Sequence, residues 1–219
     1  MYQMLGLQRL LWAYAVVVAA IAVAIYTLRP PAFGPELGAP IGYAGTIAGF
    51  LFWLLGQTRA FPVICRLPII KLYIPDIDGE WKGFVRSNWP RVQSHQRASE
   101  PGAPSVDTIP LLDVAVTARI TARLFRVGMS LVSGNQHSES HSLAVRVRRV
   151  SDSGRVELIQ VYENTNKNPS SDDQQSHFGA SLLELKPDST PPKLTGFYWT
   201  NRNWASATNT AGMLELTRQ

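Results

Sequence analysis

The sequence predicts a mainly β protein, in which an N-terminal two-helix transmembrane hairpin precedes a compact, eight-stranded, antiparallel up-and-down β-barrel. Three observations predict it. Leu10 to Leu28, LLWAYAVVVAAIAVAIYTL, runs without a charge, and a second uncharged run reaches Gln57. After Asp76 the pattern changes to short alternating apolar and polar runs divided by turn-prone clusters, which is how half-buried strands of a sandwich or barrel read.

The first run, 10–28, lies between Arg9 and Arg29. At ~1.5 Å per residue it spans roughly the ~30 Å hydrocarbon core of a bilayer. Arg29, Pro30 and Pro31 follow it where a signal peptide would carry a small-residue cleavage site, so a membrane helix is the better reading. The turn PPAFGPELGAP leads into the second helix, about 41–57, which is crowded with small residues. Gly38 and Gly42, then Gly45 and Gly49, stand four apart, the spacing that lets helix backbones approach closely in lipid. Two readings fit Gly42, Gly45 and Gly49: packing against the first helix, or association between protomers. Arg9 precedes the first helix and Arg59, Arg66 and Lys71 follow the second, while the turn holds only Arg29 and Glu36. The positive-inside rule then puts both ends of a two-pass hairpin in the cytoplasm.

Charge agrees with this division. Of the net +5, the segment up to Pro75 contributes five basic residues and one acid, leaving the remainder close to neutral. A nearly neutral C-terminal domain argues against a DNA- or RNA-binding face. The single cysteine, Cys65, permits no internal disulfide and fits a cytosolic soluble part. The expected organisation is helices in 1–60, a proline-punctuated interfacial linker in 61–75, and a cytoplasmic ligand-binding barrel in 76–219.

The eight runs fall near 80–88, 111–121, 124–133, 141–150, 155–164, 176–186, 193–202 and 212–218. SDSG at 151–154 is a tight hairpin signal, and 90–108 reads as a long polar loop, with nothing helical after Asp76. Side chains alternate across a strand, so the apolar set reveals what faces in. Leu112, Val114, Val116, Ala118 and Ile120 share one face, as do Leu143, Val145 and Val147. The same parity turns Trp81, Gly83 and Val85 inward, and sends Tyr162 and Asn164 inward with Val156 and Leu158. His177 goes in with Leu183 and Leu185; Tyr198, Thr200 and Arg202 go in with Leu194. Phe197 and Trp199 point out. The interior is therefore apolar at one end and polar at the other. Eight strands enclose enough room for side chains or one small ligand, and buried polar groups need partners. A polar ligand held by Arg202, Tyr198, Thr200, Tyr162, Asn164 and His177 is one answer.

Arg202 has a structural reading too. Stacked on Trp81, which lies in Gly-Glu-Trp at 79–81, it would plug one barrel end as in lipocalin-like barrels. The functional reading offers its planar guanidinium to phosphate. HSESH at 137–141 spaces its histidines by roughly 13 Å on a strand, too far for one metal ion, and reads as a polar hairpin end. Asp172 and Asp173 read as a solvated loop. No G-x-S-x-G elbow, P-loop or dinucleotide fingerprint occurs, so neither an enzyme nor a cofactor is expected.

PDIDGEWKG (75–83), the Ser/His-rich turn before the fourth strand, VYEN (161–164), HFGA (177–180) and GFYWTNRNW with its trailing LEL (196–216) together resemble the two-transmembrane, β-strand-rich effectors associated with CD-NTases in bacterial CBASS anti-phage defence. The resemblance covers essentially the whole chain. It implies a barrel that receives a cyclic dinucleotide from a partner CD-NTase. It also implies ligand-promoted homo-oligomerisation of the membrane helices, disruption of inner-membrane lipid and abortive infection. The rival readings are a membrane-anchored lipocalin-like binder of an apolar ligand and a structural membrane subunit.

Overall fold

Alternation along the C-terminal runs produces the expected architecture. The computed structural model describes residues 1–28, 38–97, 105–134, 137–169 and 173–219. The turn expected between the two membrane helices and Asp172 lie outside these residues. The chain divides into two units, one comprising Met1–Asp76 with Ala122–Arg126, the other Ile77–Thr121 with Val127–Gln219.

In the first unit, α1 (Tyr2–Leu5) precedes α2 (Leu7–Leu28) and α3 (Gly38–Gln57). Among the described residues one helix, α2, is long and apolar enough to cross a membrane. α2 and α3 pack together: Tyr14 donates to Gly45 O at 2.9 Å and sets its ring edge-on against Phe52. A Cβ on Gly45 or Gly49 would come within 4 Å of the Tyr14 hydroxyl, whereas one on Gly42 would meet nothing. Gly45 and Gly49 thus form the seat of Tyr14, and Gly42 faces open space. The proline-rich linker is partly helical, with α4 (Ala60–Cys65) and α5 (Pro68–Lys71), the latter carrying its proline at the start where a missing N–H costs nothing. Leu124 also belongs to this unit, donating its N–H to Gly56 O at 2.8 Å and accepting from Tyr2 at 2.7 Å.

The second unit is a closed barrel in sequence order: β1 (Gly79–Ser87), β2 (Leu112–Ala122), β3 (Val127–Ser133), β4 (Ser138–Arg149), β5 (Val156–Asn166), β6 (Ser176–Lys186), β7 (Lys193–Thr200) and β8 (Ala211–Arg218). β1 pairs antiparallel with both β2 and β8, so no strand edge is left to template aggregation. One half of the interior is a dry floor, with Trp81, Ile120, Leu158, Leu183, Leu194 and Leu216 essentially inaccessible. Side chains of this kind contribute ~1.5–3 kcal/mol each by burial.

Four expectations need correction. Leu143 does not face in. The β4–β5 register shifts between Ser142 and Ala144, which makes Leu143 the extra residue of a bulge and leaves it 61% exposed. The bulge moves Ser138, Ser140 and Ser142 onto the inner face ahead of Val145 and Val147. The stretch after β1 is helical: α6 (Trp89–Arg97) begins with Trp89 N–H on Ser87 Oγ and a proline in its first turn. β3 begins at Val127 rather than 124, because Ala122 ends β2 and residues 123–126 connect the two strands, grouping with the helices. Finally, β7 stops at Thr200, so Arg202 leaves the strand and sits in the turn before Trp204.

Candidate functional site

The polar half of the barrel holds a cavity of about 270 Å³, and all six ligand residues expected from parity line it: Tyr162, Asn164, His177, Tyr198, Thr200 and Arg202. Strand pairing explains the convergence. Asn164 lies opposite Ser140 on one side and His177 on the other, and Tyr162 lies opposite Gly179. A Cβ at position 179 would overlap the Tyr162 ring. HFGA and VYEN are therefore one feature, a glycine that makes room for the tyrosine of the neighbouring strand.

The polar groups differ in how far the protein satisfies them. Both amide donors of Asn164 are engaged, by Ser138 Oγ at 2.7 Å and Ser140 Oγ at 2.8 Å, which leaves its carbonyl oxygen for the cavity. Thr200 is tied to Thr210, its hydroxyl 2.8 Å from that of Thr210. Deeper in, Ser181 donates to Gln160 Oε1 and Gln160 to Met129 O. His177 is 8% exposed, and its buried Nδ1 has no hydrogen-bond partner among the described residues. An unmade hydrogen bond at a buried nitrogen costs ~1–3 kcal/mol.

Burial, with the nearby Arg202 charge, pushes His177 down to about 4, against the opposing pull of Asp173. The imidazole is neutral at physiological pH, so it offers one donor and one acceptor. Burial raises Tyr162 and Tyr198 above the ordinary phenol value, Ser87 and Arg202 partly opposing it for Tyr198. Both phenols stay protonated.

Arg202 does not meet Trp81. That indole is fully buried and donates to Ile77 O, and the arginine across from it in register is Arg218, which donates to Asp78 O. Arg202 lies over the Trp89 ring instead, 4.6 Å from its centre. Its guanidinium grips Asp173 in a fork, Nε to Oδ1 at 2.7 Å and Nη2 to Oδ2. Asp173 is thus no bystander of a solvated loop: its side chain is 5% exposed and also accepts from Asn166 Nδ2 at 2.9 Å. Burial alone would raise Asp173, but Arg202 and Asn166 outweigh it and hold the carboxyl below its usual range.

Gln160, Ser181, Ser87 and Ser140 also line the cavity; the parity that found Tyr162 and His177 points equally to the first three, whereas Ser140 is turned inward by the bulge at Leu143. Trp89 and Asp173 carried no such signal, because a helix and a loop bring them in.

A closed eight-stranded barrel with an apolar floor and a polar cavity defines a class, the small-ligand-binding β-barrels. The comparisons with known proteins narrow it. The family model for the "Cap15, cyclic dinucleotide receptor domain" matches residues 105–218, just over half the chain, and the chain belongs to that family. CD-NTase-associated protein 15 of Escherichia albertii is 29% identical over 148 residues, which cover 67% of this chain and 64% of that protein. The match therefore spans less than two thirds of that relative's length. The CBASS effector family expected from the sequence is the one found.

Proposed function

We propose that this chain is a CBASS effector whose barrel receives a cyclic dinucleotide and whose helices act on the bacterial inner membrane. One observation carries the receptor reading: in a chain of this family, the polar cavity presents a nine-tenths buried histidine whose Nδ1 has no hydrogen-bond partner among the described residues, opposite Asn164, both of whose amide donors are engaged while its carbonyl oxygen is left for the cavity. Such groups are what a nucleobase edge satisfies. Tyr162 and Tyr198 offer faces for stacking. At about 270 Å³ the cavity lies just below the ~300–1,000 Å³ of pockets that enclose whole drug-sized ligands. A cyclic dinucleotide would therefore seat in part, leaving the rest at the mouth by Trp89 and Arg202. The role is that of a receptor, not of an enzyme.

The membrane part rests on α2, on the helix packing against it and on the basic flanks. It is read as a two-pass hairpin with both termini in the cytoplasm. Outside the barrel, Leu182, Phe197 and Met213 are laterally paired and exposed, with Trp199 beside them. A contiguous apolar row of this kind supports self-association. Ligand would promote it by binding the assembled form more tightly, and assembled helices would disrupt the bilayer.

The direct experiment is calorimetric titration of the detergent-solubilised full chain with cyclic dinucleotides covering purine and pyrimidine bases. Saturable binding by at least one, weakened about 10-fold or more by Asn164→Ala, is the expected result. Failure of every member to bind removes the receptor reading. A chain that binds fatty acids or retinoids instead is the lipocalin-like binder.

A further inference from the structure

The mouth of the cavity carries an arginine that is already paired. Arg202 uses Nε and Nη2 on Asp173, and Trp89 covers its face. Both hydrogens of Nη1 and the second hydrogen of Nη2 carry no hydrogen bond among the described residues. The carboxylate, in turn, is held by Asn166 Nδ2 and by the Gln174 N–H, both at 2.9 Å. The pair is stitched into a wider seam between the β5–β6 and β7–β8 connections: Asn201 exchanges two hydrogen bonds with the Phe178 backbone, and Asn203 N–H donates to Gln174 Oε1.

We infer that Asp173 is an internal stand-in for the phosphate of the ligand, which an entering phosphate must displace from Arg202. This rests on the receptor reading above. A carboxylate and a phosphodiester each carry one negative charge and two oxygens suited to the guanidinium fork, so exchanging one for the other leaves the charge at the mouth unchanged. Binding both at once sets two anions against one cation in a partly dry environment, where like charges repel far more than in water. A neutral nucleoside or an apolar molecule cannot make the exchange and gains nothing from Arg202. Asp173 therefore lowers the affinity for phosphate-bearing ligands alone, and in return keeps Arg202 paired until a phosphate takes its place. Exchange also releases the residues that Asp173 anchors.

Asp173→Asn tests this, because the amide is isosteric and uncharged. In the full chain, the cyclic dinucleotide that binds wild type most tightly should bind the variant about 10-fold more tightly, while adenosine gains nothing. Asp173→Glu, which keeps the charge, should not tighten binding. Equal or weaker binding by Asp173→Asn, or an equal gain for adenosine, overturns the inference and leaves the receptor reading intact. If no cyclic dinucleotide binds wild type or variant, the receptor reading itself falls and this inference with it. Should Asp173→Asn not fold, hydrogen exchange on the wild type decides. Saturating ligand should speed exchange at the Gln174 and Asn203 amides, and unchanged or slower exchange there refutes the exchange of anions.

Discussion

His177 shows how one residue can link stability to pH and mark the site. Its folded value of about 4 lies below the ordinary 6.5, so between these pH values the unfolded chain binds a proton that the folded chain refuses. Stability is complete above about pH 6.5 and falls as the pH drops toward 4, by ~3 kcal/mol in all. Thermal melts of the full chain from pH 4 to 8 should show that decline, and His177→Gln should flatten it; a variant melting with the wild-type pH profile would remove His177 as its source. Gly179 makes a second residue-scale case. Gly179→Ala forces its methyl into the Tyr162 ring, which should cost ~1–3 kcal/mol and weaken ligand binding through the displaced tyrosine. Unchanged melting and binding would mean that the ring has somewhere else to go. The inward positions of Tyr162, Asn164, His177 and Tyr198 were legible from alternation alone, since the apolar residues of their own strands fix the parity. The Arg202–Asp173 pair was not legible, because its members are 29 residues apart and neither lies in a strand.

Among the elements, β4 is the instructive one. Its bulge at Leu143 inverts the parity that a straight strand would keep, and no turn residue or glycine announces it. Deleting Leu143 should preserve pairing on both sides, because Ser142 opposite Tyr162 and Ala144 opposite Val161 become consecutive. Removing Val147 instead slips every following residue to the wrong face. Comparing the two deletions by circular dichroism should show a barrel that melts cooperatively for the first and not the second. Two cooperative barrels would mean that register is set elsewhere. The helix α6 was equally hidden: Trp89 to Arg97 is polar and reads as loop by periodicity, and only Ser87 and a well-placed proline mark its start.

At the scale of the whole molecule, the proposed assembly rests on α2 and the outward apolar row. Gly45→Leu or Gly49→Leu should displace Tyr14 from its seat and blunt depolarisation when the chain is expressed with a CD-NTase. Phe197→Ser should leave ligand affinity unchanged while reducing the ligand-dependent oligomer seen by light scattering. An oligomer of unaltered size in Phe197→Ser would send the search for the interface to another face. By itself the sequence determined what short-range chemistry controls: where an apolar run is long enough for a bilayer, how many strands follow, and, except at the bulge of β4, which side chains a strand turns inward. It also determined the family, because VYEN, HFGA and GFYWTNRNW are local signatures. Tertiary structure alone decided which polar groups the protein satisfies itself. Closing the barrel brought Ser138 and Ser140 to Asn164, left His177 Nδ1 without a hydrogen-bond partner among the described residues, and set Asp173 on Arg202. Hydrogen bonds and ion pairs depend on distances across strands and loops, and alternation along one strand carries no information about them.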